Sequence, residues 1–109
     1  MLRVVLFSLI VMLPLLGRAE NSSLDDLLQK GLAAYQSQRF DEAKDSFAKL
    51  LEQRQHDPAA MHNLALSYLQ LGNKPLALAY WRKALNEAPG LIGARQGRDQ
   101  LERLMNLRP

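Results

Sequence analysis

The stretch Met61-His-Asn-Leu-Ala-Leu-Ser-Tyr-Leu-Gln-Leu-Gly72, continued by Asn73-Lys-Pro-Leu-Ala-Leu-Ala-Tyr-Trp-Arg-Lys-Ala-Leu85 and Asn86-Glu-Ala-Pro89, reads as helix, tight turn, helix, stop. Leu64, Ala65, Tyr68 and Leu71 recur at helical spacing on one face. Gly72 can take the left-handed conformation that ends a helix, since it has no Cβ to clash. Pro75 suits the first turn of the next helix, where a missing N–H costs nothing. Ala77, Trp81, Ala84 and Leu85 mark the inner face of that helix, and Pro89-Gly90 stops it.

The same pattern occurs earlier in the chain at a constant offset. Leu27 corresponds to Met61, Gly31 to Ala65, Ala34 to Tyr68, Ala43 to Ala77, Phe47 to Trp81, Leu50 to Ala84 and Leu51 to Leu85. A fixed period of about 34 residues signals stacked helical hairpins. Small residues at Gly31/Ala65 and Ala43/Ala77 let helices approach, and Phe47/Trp81 fill the space between hairpins. These positions resemble the tetratricopeptide repeat (TPR) family, with the second unit matching through Asn63-Leu-Ala65, Tyr68, Gly72, Ala77, Trp81, Ala84-Leu85 and Pro89. The first unit departs from it: Gln38 replaces the turn glycine, and Gln55 stands where Pro89 stands in the second. The second unit also looks like the TPR segment of Bat-type aerotolerance proteins, through Asn63-Leu64, Leu71-Gly72, Ala77-Leu-Ala-Tyr80, Arg82 and Ala84-Leu85.

The expected fold is all-α: two TPR hairpins at 24–57 and 58–91 and a capping helix at 92–109, a short α-solenoid. Asp57-Pro58 is a strong start signal for the third helix. In the capping segment a copy at the same period puts Tyr68 on Glu102 and Leu64 on Arg98. A spacing shorter by a single position restores an apolar stripe, with Met61 on Ala94, Leu64 on Gly97, Tyr68 on Leu101 and Leu71 on Leu104. Arg95, Arg98, Asp99, Glu102 and Arg103 surround that stripe, as befits a helix with a polar outer face.

Met1–Ala19 has a basic start at Arg3, an apolar run from Val4 to Leu16 and a Gly17-Arg-Ala19 end. This suits an export signal cleaved before Glu20, with 20–23 as linker. A spanning helix needs about 20 apolar residues, more than that run supplies. The expected location is therefore secreted or periplasmic; an uncleaved segment would make the protein membrane-anchored. Asn21-Ser-Ser23 matches a glycosylation sequon but reads as a polar linker with a capping serine. Without Arg3 and Arg18 the 14 basic residues become 12, against 11 acidic. That balance lacks the basic excess of a nucleic-acid footprint. No cysteine is present, so disulfides, thiolate metal sites, cysteine nucleophiles and the lipid-attachment cysteine of a bacterial lipoprotein signal are excluded.

The resemblance implies a concave groove lined by the first helix of each hairpin. Its residues here are Leu28, Gln29, Leu32, Tyr35 and Gln36 with Asp25, then His62, Asn63, Leu66, Leu69 and Gln70, with Gln96, Gln100 and Arg103 added by the capping helix. Such a surface suits a protein partner's extended peptide or amphipathic helix; the same leucines would equally serve as packing against neighbouring helices. Some family members clamp a C-terminal carboxylate with basic and amide side chains. Here only Asn63 matches that clamp, while Leu28, Leu32, Gly93 and Gly97 occupy its other positions. His62 stands alone, without a second ligand at metal spacing, and reads as a polar groove residue. Trp81, Tyr68 and Phe47 read as core. No nucleophile–base pair or phosphate loop occurs, so no catalysis, metal or cofactor is expected. Three roles fit: an exported scaffold or assembly factor, a membrane-anchored accessory of a cell-envelope complex, or a chaperone for an exported subunit. Homo-oligomerisation stays open.

Overall fold

The computed structural model describes residues 23–107. The expected leader, its cleavage point and the linker up to Ser22 lie outside the described residues. Five helices follow one another: α1 (23–36), α2 (Phe40–Gln53), α3 (Pro58–Gln70), α4 (Lys74–Glu87) and α5 (Ile92–Leu104). No strand occurs among the described residues. Boundaries fall within about two residues of those expected from sequence, the usual uncertainty of helix ends.

Local chemistry sets those ends. Asp57 Oδ1 accepts from the N–H groups of Ala59 and Ala60 at 2.9 and 3.2 Å, with Pro58 opening α3. Asn73 Oδ1 accepts from Leu76 N–H at 3.2 Å at the start of α4. The helices α1, α3 and α5 finish on one motif. A left-handed residue follows each: Gln38 at φ 62°, Gly72 at φ 80° and Asn106 at φ 56°. The next N–H then reaches back to Ala34 O, Tyr68 O or Glu102 O at 2.8–2.9 Å, which satisfies orphan carbonyls of the last turn. Gln38 therefore takes the conformation of the glycine it replaces.

Two clusters form the core. Ala34, Ala43, Phe47 and Leu64 join α1, α2 and α3. Met61, Ala65, Ala77, Leu78, Trp81, Ala84, Leu85, Ala94 and Leu101 join α3, α4 and α5. Phe47 and Trp81 are 1% and 2% exposed, so each aromatic fills the seam its spacing assigned. Close approach needs glycine at two places. A Cβ on Gly31 would lie 2.6 Å from the Phe47 ring, and one on Gly97 would lie 2.5 Å from the Trp81 ring.

The capping helix corrects one expectation. Its start, its end and its left-handed residue follow those of α3 by the full repeat period, not by the shorter spacing. Counted so, buried Ala94 and Leu101 correspond to Ala60 and Ser67, which are also buried. Met61, Ala65 and Tyr68, which face α4, correspond to Arg95, Asp99 and Glu102. No helix follows α5 among the described residues, and the corresponding face carries Arg95 and Asp99, Asp99 pairing with Arg98 at 3.0 Å, while Glu102 turns to Arg82 of α4 at 3.5 Å. Leu104 is 60% exposed and so stands outside the apolar stripe; Leu71, a helix-capping residue, is 38% exposed. The first helix mirrors the last. Its exposed Asp26, Lys30 and Ala33 occupy the positions of buried Ala60, Leu64 and Ser67.

Candidate functional site

The first helices of the array, α1, α3 and α5, share one face. Side-chain contacts join them. Gln70 Nε2 donates to Tyr35 Oη at 3.4 Å, linking α3 to α1. The His62 ring lies against Gly93, where an added Cβ would be 3.1 Å away, linking α3 to α5. The left-handed stops, repeated at a constant interval, keep these helices in register.

Across this face Gln29, Gln36 and Gln70 are exposed, and Leu28, Leu32, Tyr35, His62, Asn63, Leu66 and Leu69 are half-buried. Leu28, Leu32 and Tyr35 pack against the first core cluster, and Leu66 and Leu69 against the second. Each leucine thus has one side on the core and another toward solvent. Asp25, Gln96, Gln100 and Arg103 are exposed. The Tyr35 ring meets Phe40 edge-on at 5.2 Å, which fixes its orientation at the α1–α2 turn.

His62 has a role that sequence reasoning missed. Trp81 Nε1 donates to His62 Nδ1 at 2.8 Å. An indole N–H only donates, so Nδ1 is the acceptor and the neutral ring carries its proton on Nε2. Burial pulls the His62 pKa below its ordinary 6.5, because desolvation disfavours the charged form. The signal available in the sequence was a buried tryptophan whose N–H required a partner.

The clamp positions are filled by packing. Gly97 lies under the Trp81 ring and Gly93 beside His62, so neither has room for a long basic side chain without displacing a ring. Clefts also lie off this face. One of about 670 Å³ is lined by Ser23, Leu24, Leu27, Lys49, Glu52 and Gln53. Its equivalent in the second hairpin, around Met61, Lys83, Asn86 and Glu87, holds about 320 Å³. There the preceding connector adds Gln55 and His56, with His56 Nδ1 2.8 Å from Glu87 Oε1. The pair of clefts is a feature of hairpin stacking repeated along the array. Among the described residues no group of three or more His, Asp or Glu side chains could hold a metal ion.

Paired antiparallel helices stacked at a constant period, with their first helices on a common face, define a short helical-repeat solenoid. The tetratricopeptide repeat model matches residues 28–92, more than half of the 109 residues, and the chain belongs to that family. No curated protein matches it by sequence. Solved structures of similar fold include the TPR2B domain of yeast Sti1 in a complex with pHsp70, at TM-score 0.72 and 16% identity over 75% of this chain. Another is the first TPR of Spaghetti (RPAP3) bound to the HSP90 peptide SRMEEVD, at TM-score 0.71 and 21% identity over 75% of this chain. The chain spans 66% and 65% of those chains' lengths, just under two thirds. No helix among the described residues is long and apolar enough to cross a membrane.

Proposed function

We propose that the protein is an exported interaction module, a scaffold or assembly factor, that holds a peptide or helix of a protein partner on the face shared by α1, α3 and α5. The observation that carries this reading is the continuity of that face: the Tyr35–Gln70 and His62–Gly93 contacts join three helices into one surface of half-buried leucines and exposed amides. Leucines anchor a partner by apolar area, and amides pair with its backbone. The family is an interaction scaffold, and of two proteins of the same fold one is in a complex with pHsp70 and the other is bound to an HSP90 peptide. Export rests on the Gly17-Arg-Ala19 pattern after the Val4–Leu16 run.

Tagged full-length protein, recovered with its partner from the native host, tests both parts. Mass analysis should place the N-terminus at Glu20; retention of Met1–Ala19 in a membrane fraction supports the anchored accessory instead. For the groove, Leu66→Gln with Gln70→Ala should lose the partner at unchanged helicity. Lys49→Glu, on the exposed side of α2, should keep it. A groove variant that folds and retains the partner removes this reading.

A further inference from the structure

The charge pattern of the shared face narrows what it can hold. Of its side chains only Asp25 and Arg103 carry a full charge, and they stand on α1 and α5, on opposite sides of α3. Between them lie four leucines, a tyrosine and a set of amides. His62, the remaining ionisable group near the centre, has its Nδ1 occupied by the Trp81 indole. Its other nitrogen is therefore an uncharged Nε2–H donor, on the ring edge that lies toward Gly93 of α5. We infer that the groove selects an uncharged, apolar segment of a protein partner, read by main-chain hydrogen bonds to His62 and the amides, and rejects acidic tails. This inference rests on the groove reading above.

The physical basis is desolvation. A carboxylate brought onto this face loses water and meets no compensating cation at α1 or α3, a large penalty for a buried charge. On α5, Gly93 and Gly97 carry no side chain and the rings of His62 and Trp81 occupy the adjoining space, so the one cation this helix brings to the face is Arg103 in its last turn. An uncharged segment meets leucines and neutral donors and acceptors, which cost little to desolvate once paired.

A random-sequence peptide library displayed on phage, selected in parallel against the full chain and the Leu66→Gln, Gln70→Ala variant, tests the inference. The expected result is enrichment, on the unmodified chain alone, of peptides rich in Leu, Ile, Val, Ser, Thr and Gln and poor in Asp and Glu. Enriched peptides, titrated by Trp81 fluorescence, should weaken about tenfold or more when one central apolar residue becomes Glu. Their affinity should change less than about twofold between about 0.1 and 0.5 M salt, because screening acts only on charge pairs. Enrichment of acidic peptides that need Leu66 and Gln70, with steep salt dependence, overturns the ligand class and leaves the groove standing. Peptides that bind both proteins equally, or no enrichment at all, overturn the groove and this inference together.

Discussion

Trp81 is the one tryptophan of the chain, and it ties the core to the shared face through a single hydrogen bond to His62. That bond exists only while His62 is neutral, because a protonated ring has no acceptor. Burial holds the folded-state pKa of His62 below 6.5. Between that value and 6.5 the unfolded chain binds more protons than the folded one, so stability rises with pH there. The contribution of neutral His62 is whole above 6.5 and drains as pH falls through the folded value. The melting temperature should therefore drop as pH falls from about 6.5 toward about 5, where carboxylates begin to titrate. His62→Gln keeps an acceptor that does not titrate, and its melting curve should be flatter over the same window. Equal slopes for both proteins would show that His62 does not carry the effect.

At the turn inside each hairpin the two repeats differ in sequence and agree in structure. Gln38 and Gly72 take the same left-handed backbone at equivalent points of the two units, with the same pair of hydrogen bonds behind them. A side chain there strains the backbone, and glycine does not. Gln38→Gly should raise stability by about 0.5–1 kcal/mol, the left-handed penalty less the entropy glycine loses on folding, read by urea unfolding. The hairpins were legible because Leu64, Ala65, Tyr68, Ala77 and Trp81 follow a period that packing enforces. The left-handed turn at Gln38 was not, because tertiary packing of both flanking helices overrides the residue's own preference. The register of α5 was misjudged for a related reason. Apolar matching favoured the shorter spacing, since the face of α5 that corresponds to Met61, Ala65 and Tyr68 has no helix among the described residues to cover it and has become charged. The groove residues came from the resemblance. The Trp81–His62 bond, which joins that face to the core, required coordinates.

At the scale of the whole molecule the repeats are stacked but not interchangeable. Trp81 needs Gly97 in front of it, whereas the residue of α3 equivalent to Gly97 is Asn63. A tandem copy of residues 58–91 would set the second Asn63 against the first Trp81. The duplicated chain should unfold earlier than the original by circular dichroism, and placing glycine at that second Asn63 should restore or exceed the original melting point, since added repeats ordinarily stabilise an array. Among the described residues the faces of α1 and α5 that no helix covers are polar, with Asp26 and Lys30 on α1 and Arg95 and Asp99 on α5. On the proposed groove reading, the width of α1, α3 and α5 together sets how much of a partner these helices can hold. Neighbouring helices lie about 8–10 Å apart, so the three helix axes span about 16–20 Å. An extended chain advancing about 3.3 Å per residue crosses that distance with roughly five or six residues. On that reading the module is a short ruler: one stretch of that length lies across α1, α3 and α5.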